Sequence, residues 1–297
     1  MREERIIRYG ELAHRLGARS LMRAVTPRPN VRVSVTHYVR PGDLDQFQRI
    51  MAYIGGLRQF LLPSEFFERY LDSAPRALDQ QAHLITFDDG LQSSYEAAQR
   101  VLNPLGIKAI FFVPTKILDL ETPDEMRRFA LDRIYRRADT GDSLTQDHYL
   151  TMNADHLRAL HAQGHMVLPH THSHAKLSEI CTEADVAREL SGPRRVLEQL
   201  LQAPADGFAF PVGTERVVTR FAYDNIKEIY SLCFLGVSGV NTPRSDPAYI
   251  CRDCIHPFYP LSHVANVLEG VYDPYYRLKL RRLRARAEGR RPALNLG

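Results

Sequence analysis

Over residues 31–36 the apolar Val31, Val33 and Val35 are separated by Arg32 and Ser34, the two-residue period of a half-buried strand. Helical spacing follows over 45–55, and Pro63-Ser64-Glu65 ahead of Phe66 and Phe67 reads as a helix start. Short apolar runs at 83–87 and 107–113 read as strands, with a helix over 93–102 between them. Residues 117–150 are charged and without a strong period, so an insertion is expected there. The pattern resumes with a helix over 154–163 closed by Gly164, a strand at 166–168, a helix over 183–201, a strand at 208–210 and a helix over 223–229. Strands at 232–237 and 248–250 and a helix over 263–270 complete it. Such alternation predicts an α/β fold, a mostly parallel sheet wrapped by helices, as an open sheet or a (β/α) barrel. In either form chemistry belongs at the C-terminal ends of the strands.

Composition narrows the class. Of 297 residues, 44% are apolar and 25% charged, with 17 Gly and 18 Pro, which excludes collagenous, low-complexity and wholly disordered chains. The longest apolar runs, such as 109–114, fall well short of the ~18 residues that span a bilayer. Residues 1–17 carry Glu3, Glu4 and Glu11 among arginines and no apolar stretch, so they do not read as a secretory signal, and a cytoplasmic protein is expected. Cys181, Cys233, Cys251 and Cys254 are too few and too unevenly spaced for a disulfide framework, and free thiols are expected. The net charge is +4, yet residues 277–291 alone hold eight Arg or Lys against Glu288. Such a segment could touch anionic lipid or nucleic acid, or be a solvated helix or frayed end.

Three segments carry unusual side chains, each just after a predicted strand. Thr86-Phe87-Asp88-Asp89-Gly90 sets two adjacent carboxylates before a glycine that permits a sharp turn. Taken alone, this is also ordinary turn chemistry. His170-Thr171-His172-Ser173-His174 places imidazoles at alternate positions, and His170 and His174 can converge on one metal ion if the segment turns. His172 would then point away and be structural. Phe208-Ala209-Phe210-Pro211-Val212-Gly213 is the third, a strand running into a turn.

Together and in this order they resemble the three motifs of the NodB-homology polysaccharide deacetylases, carbohydrate esterase family 4. The resemblance extends over about residues 31–240 and includes Val35-Thr36-His37-Tyr38-Val39 as the opening strand. It implies a distorted (β/α) barrel of fewer than eight complete units with a divalent metal, usually zinc, in its mouth. Asp89, His170 and His174 would bind that metal, and Asp88 would be the general base in removing an N-acetyl or other acyl group from an amino sugar. Two imidazoles and one carboxylate leave zinc open positions at which water is acidified from about 15.7 toward ~7. The Val212 N–H would help hold the oxyanion.

The family's proton donor is a histidine from a C-terminal strand, which assigns that role to His256 at the end of Cys251-Arg252-Asp253-Cys254-Ile255-His256, with His37 and His263 as rivals. The sequence departs from the family where Ala209 stands, a position many relatives fill with an arginine that orients the base. Arg252 is the expected substitute. Pro211 and Tyr259 are expected on the substrate side. Cys251 and Cys254 lack the second pair that a structural zinc needs. The division expected is a basic N-terminal segment over 1–30, a barrel over 31–270 with its insertion, and a basic C-terminal tail over 271–297. The expected partners are an acylated saccharide or its cytoplasmic precursor and, through the basic termini, an anionic membrane surface, with no nucleic acid. Two further readings are a non-heme Fe(II) enzyme, whose facial triad also uses two His and a carboxylate, and a relative that keeps the fold without turnover.

Overall fold

The computed structural model describes residues 2–72, 78–136, 149–214 and 216–290. Residues 137–148 of the expected insertion and 291–297 of the expected tail lie outside the described residues. Among the described residues eight strands form: β1 Val31–Thr36, β2 Gln59–Phe60, β3 Ala82–Phe87, β4 Ala109–Val113, β5 Met166–Pro169, β6 Gly207–Ala209, β7 Leu232–Phe234 and β8 Asp253–Cys254. All their ladders are parallel, in the order β5-β4-β3-β1-β8 with β2 beside the start of β3, and β6 with β7. The segment before β8 joins the two sheets: the Arg252 N–H donates to the Val237 carbonyl (3.0 Å), and two residues later Cys254 lies opposite Val35 of β1. Among the described residues no ladder joins β5 to β6, so the sheet closes into a distorted (β/α) barrel with one open seam. The run expected as a strand at 248–250 is instead a single helical turn, Pro247–Tyr249, whose successor Ile250 bridges to Phe234.

β1 departs from its expected half-buried state. All six of its residues are buried, because one side of a barrel strand faces the interior and the other is covered by helices. Its polar positions are therefore paired inside the protein. Arg32 lies between Asp253 of β8 (3.2 Å) and Asp273 (2.7 Å), Ser34 meets His83 Nε2 (3.0 Å), and the Thr36 hydroxyl donates to the Ile255 carbonyl (2.8 Å). The alternation read from the sequence is a property of this pairing, not of exposure.

Helices cover the barrel from both termini. Helices Arg2–Arg15 and Ala18–Val25 are anchored by the Arg19 guanidinium, which donates to Asn266 (2.6 Å) and to the Ser262 carbonyl. Of the segment read as a basic tail, Asp273–Ala287 forms a helix that buries Leu283 and Ala287 against Phe208, Phe210 and Tyr223. Its first residue, Asp273, is the one that reaches Arg32. The expected insertion is also structured where it is described: residues 123–135 are helical and bring Arg133 and Ile134 to the strand ends.

Two buried histidines make the fold sensitive to acid. His165 accepts the Ala109 N–H at Nδ1 (3.1 Å), so its Nε2 carries the proton toward Asn103 (3.0 Å), and burial lowers the ring to about 4. Burial holds His83 well below its ordinary range too. An unfolded chain takes up these protons from about pH 6.5 downward while the folded chain refuses them, so stability falls as pH drops through that window. We expect His165 alone to remove about 2 to 3 kcal/mol between pH 7 and 4.5. Urea unfolding across this range should show a shallower decline for His165→Gln than for wild type, and parallel curves would refute the assignment.

Candidate active site

Strand register assembles the site. Thr36 lies opposite Phe87, so His37 and Asp88 leave their strands side by side, and the Asp88 N–H donates to the Thr36 carbonyl (3.2 Å). Val113 of β4 lies opposite Pro169 of β5, and the His170 N–H donates to the Val113 carbonyl (3.0 Å), bringing the imidazole motif to the same level. The backbone turns sharply at every one of these ends. Asp89, Thr171, His174 and Val212 all have positive φ, between 56° and 75°. Such conformations cost of order 1–3 kcal/mol each for residues with a Cβ, and their clustering marks a functional site. The glycine after Asp89 is required, since a Cβ on Gly90 would lie 2.9 Å from Ile117 in a left-handed conformation.

Asp88, Asp89, His170 and His174 line one side of a cavity of about 260 Å³, with His37, Phe210, Val212, Arg252, Cys254 and Tyr276 on its other walls. His170 Nδ1 donates to the Ala209 carbonyl and His174 Nδ1 to the Arg133 carbonyl, both at 2.8 Å. A carbonyl can only accept, so in the neutral rings the protons sit on Nδ1 and the Nε2 lone pairs are turned inward. They point at Asp89 Oδ1, at 3.6 Å from His170 and 3.2 Å from His174, and the three donor atoms lie within 4.8 Å of one another. Two aligned imidazole lone pairs and a carboxylate fit a divalent cation with open positions. Burial works to raise the Asp89 carboxyl, but the imidazoles around it, His37 among them, hold it far below the usual range.

Asp88 is turned away from that donor set toward Arg252. The guanidinium makes a two-point pair with it, Nη1 to Oδ1 at 2.6 Å and Nη2 to Oδ2 at 2.7 Å, with both side chains buried. Arg252 is itself fixed by donating through Nε to the Leu235 carbonyl (2.8 Å) and through Nη1 to Thr86 (3.3 Å). Burial works to raise the Asp88 carboxyl, and the Arg252 charge more than offsets it, keeping the group ionised. The segment before β8 thus places a guanidinium against Asp88.

A family model for polysaccharide deacetylases matches residues 76–227, which contain both carboxylates, the histidine motif and the third motif. The chain belongs to the polysaccharide deacetylase family. It is accordingly a hydrolase of the carbohydrate esterase 4 type, and this family generally depends on a divalent metal, for which Asp89, His170 and His174 are the candidate site. Solved structures agree in fold. The Streptococcus pyogenes deacetylase PplD in complex with acetate is 15% identical with TM-score 0.61, over 80% of this chain and 98% of the other. IcaB from Ammonifex degensii is 20% identical with TM-score 0.62, over 81% and 97%. The de-N-acetylase from Aggregatibacter actinomycetemcomitans is 12% identical with TM-score 0.61, over 80% and 99%. No curated protein matches the chain.

Other expected residues of the deacetylase fall differently. His172 is bonded to Thr115 (3.0 Å) and does not line this cavity. His263 is buried beneath Tyr272, whose hydroxyl meets its Nδ1 at 2.9 Å, away from the cavity. Tyr259 is only 7% exposed, wedged edge-on against His256, Phe258 and His263, so it offers no free face to a sugar. Packing in the 256–263 turn overrides the stacking role expected of it. Tyr276, from the segment read as a tail, lines the cavity instead. Pro211 is buried behind the wall, whereas Val212 is 46% exposed on it.

Two positioning residues were not visible in the sequence. Glu189, on the buried face of a helix, accepts from the His172 N–H (3.1 Å), the Ser173 N–H (2.9 Å) and the Ser173 hydroxyl (3.0 Å), pinning the histidine loop. Arg133 gripping Ser173 (2.9 and 3.0 Å) fixes its other side. A carboxylate on the inner face of an amphipathic helix was the one signal available for Glu189.

The Arg252 pair yields a direct expectation. Arg252→Lys keeps the charge and loses the fork, so turnover should drop at least tenfold while the circular dichroism spectrum is retained. A folded variant with wild-type turnover would show that Asp88 needs no such partner.

Proposed function

We propose that this deacetylase removes an N-acetyl group from an amino sugar, in a polysaccharide or its cytoplasmic precursor, with zinc at Asp89, His170 and His174 and Asp88 as general base. The observation that carries the reading is the division of labour between adjacent carboxylates: Asp89 faces two imidazole lone pairs, and Asp88 faces a guanidinium. When bound, the metal acidifies a water and polarises the acyl carbonyl. Asp88, kept ionised by Arg252, takes the proton of the attacking water at a carboxylate oxygen. The Val212 N–H offers a donor to the oxyanion, a contribution of about 2.7 to 4 kcal/mol in such sites.

The leaving amine needs a proton, and His37 is the better donor than the His256 expected from the sequence. Support comes from the cavity wall, which includes His37 and not His256. Burial opposes charge on His37, but Cys254 and Asp89 outweigh it and push the ring up to about 10, so it carries a proton at neutral pH. A non-heme iron enzyme would have no use for an arginine-held carboxylate beside its ligand. A precursor inside the cell agrees with four cysteines that are all free.

Metal titration separates the roles. Relative to wild type, Asp89→Ala should bind one zinc fewer per chain, whereas Asp88→Asn should keep the full count and release acetate ~10² to 10⁴ times more slowly. An unchanged zinc count in Asp89→Ala would overturn the ligand assignment.

The division proposed is a barrel over 31–270 framed by basic terminal segments. The first of these also supports a membrane contact: the two N-terminal helices and the turn between them expose Tyr9, Leu12, Leu16, Leu21 and Val25 among Arg5, Arg8 and Arg15. Exposed apolar side chains beside arginines suit the surface of an anionic bilayer. No helix among the described residues is long and apolar enough to cross one. Cosedimentation with vesicles containing phosphatidylglycerol should exceed that with neutral vesicles and fall for the double variant Leu16→Glu, Leu21→Glu, and equal binding to both would remove the contact.

A further inference from the structure

A second set of metal-ligating side chains stands on the rim of the same cavity. β8 lies beside β1 with Cys254 opposite Val35, so the side chains that leave these strands, His37 from one and Cys254 and His256 from the other, meet at one corner. One ligand atom from each lies within 4.8 Å of the others. Cys254 Sγ is 3.4 Å from His256 Nε2, and the His37 and His256 rings are stacked at 6.1 Å with 30° between their planes. Around a tetrahedral zinc, with bonds of about 2.3 Å to sulfur and 2.0 to 2.1 Å to nitrogen, neighbouring S and N ligands sit roughly 3.5 Å apart. The corner therefore needs little rearrangement to close on an ion. Cys254 is exposed, which gives an ion a way in, and the S/N/N donor set favours zinc, cobalt or copper over magnesium or calcium.

We propose that His37, Cys254 and His256 form a second cation site, for zinc or a metal of like softness, whose filling inhibits the enzyme. The site uses none of the ligands of the Asp89 centre. Its effect on turnover rests on the reading of this cavity as the place of deacetylation: His37 and Cys254 line the same cavity as Asp88 and Asp89, so an ion held between them occupies space the substrate needs. Excess zinc then slows the reaction that the first zinc supports.

The experiment titrates zinc and cobalt into the metal-stripped full chain and measures acetate release against zinc concentration. Wild type should bind two zinc ions. Cys254→Ser and His256→Ala should each bind one, as should Asp89→Ala. In the near ultraviolet, the cobalt-loaded wild type and Asp89→Ala should show thiolate-to-cobalt charge-transfer absorption, and Cys254→Ser should lack it. Excess zinc should cut wild-type turnover at least tenfold, and Cys254→Ser or His256→Ala should lift that inhibition.

A single zinc in wild type that Asp89→Ala removes and Cys254→Ser retains overturns the second site. A thiolate band with no effect of Asp89→Ala on the count overturns the first site and leaves the second standing. Two ions with zinc inhibition intact in both Cys254→Ser and His256→Ala overturn the inhibitory role. Because Cys254 is solvent-exposed, its serine variant should fold, and His256→Ala repeats the test from another ligand.

Discussion

The buried pair between Arg252 and Asp88 is the contact on which the rest of the site depends. Removing either partner would leave an uncompensated charge in the interior, which typically costs several kcal/mol. The pair ties the turn after β3 to the segment that joins the two sheets, so it braces the fold and fixes Asp88 at once. Adjacent carboxylates on one turn would otherwise compete for the same cation. With Asp88 committed to a two-point guanidinium, Asp89 alone is left to the imidazoles, and neighbouring residues acquire separate tasks.

A second buried cluster supports this one from below. Arg32, Asp253 and Asp273 tie β1, β8 and the C-terminal helix together one residue along the chain from Arg252. Gly270 makes the approach possible: a Cβ there would sit 2.6 Å from both Arg32 Nη2 and Asp273 Oδ2. Burial and the neighbouring Asp273 charge raise Asp253 to about 6 despite Arg32. Arg252 precedes Asp253 directly, so the ion pair in the cavity and the one beneath it use alternate faces of a single extended segment. Arg252 is thus carried by a segment that is fixed from both faces.

The open seam between β5 and β6 is bridged by a side chain of the site itself. His170 of the β5 end donates to the Ala209 carbonyl at the end of β6, where a ladder bond would otherwise run. The same hydrogen bond fixes the tautomer that presents Nε2 to Asp89. Closure of the barrel and preparation of the donor set are in this way one interaction. Glu189 and Arg133 complete it by holding the loop on which His174 depends, which lets that loop keep its two residues of positive φ.

The α/β class, the order of strands and helices, and the donor types were legible in the sequence, because two-residue and 3.6-residue periods and three strand-end motifs are local properties. Asp88, Asp89, His170 and His174 could be singled out for that reason, and Arg252 could be guessed, given the gap at Ala209, only from its place near His256. Burial of Arg32, Ser34 and Thr36 could not, since a polar residue on a strand looks the same whether it meets water or a partner from a strand two hundred residues away. His37 and His256 likewise differ little in sequence context, and only the cavity wall separates them. Glu189, Arg133 and Tyr276 came from segments read as plain helix, insertion and tail. Local pattern determined which chemistry the chain carries; parallel register between β1, β3 and β8 decided which side chains face one another, because pairing across strands depends on long-range packing that no single segment encodes.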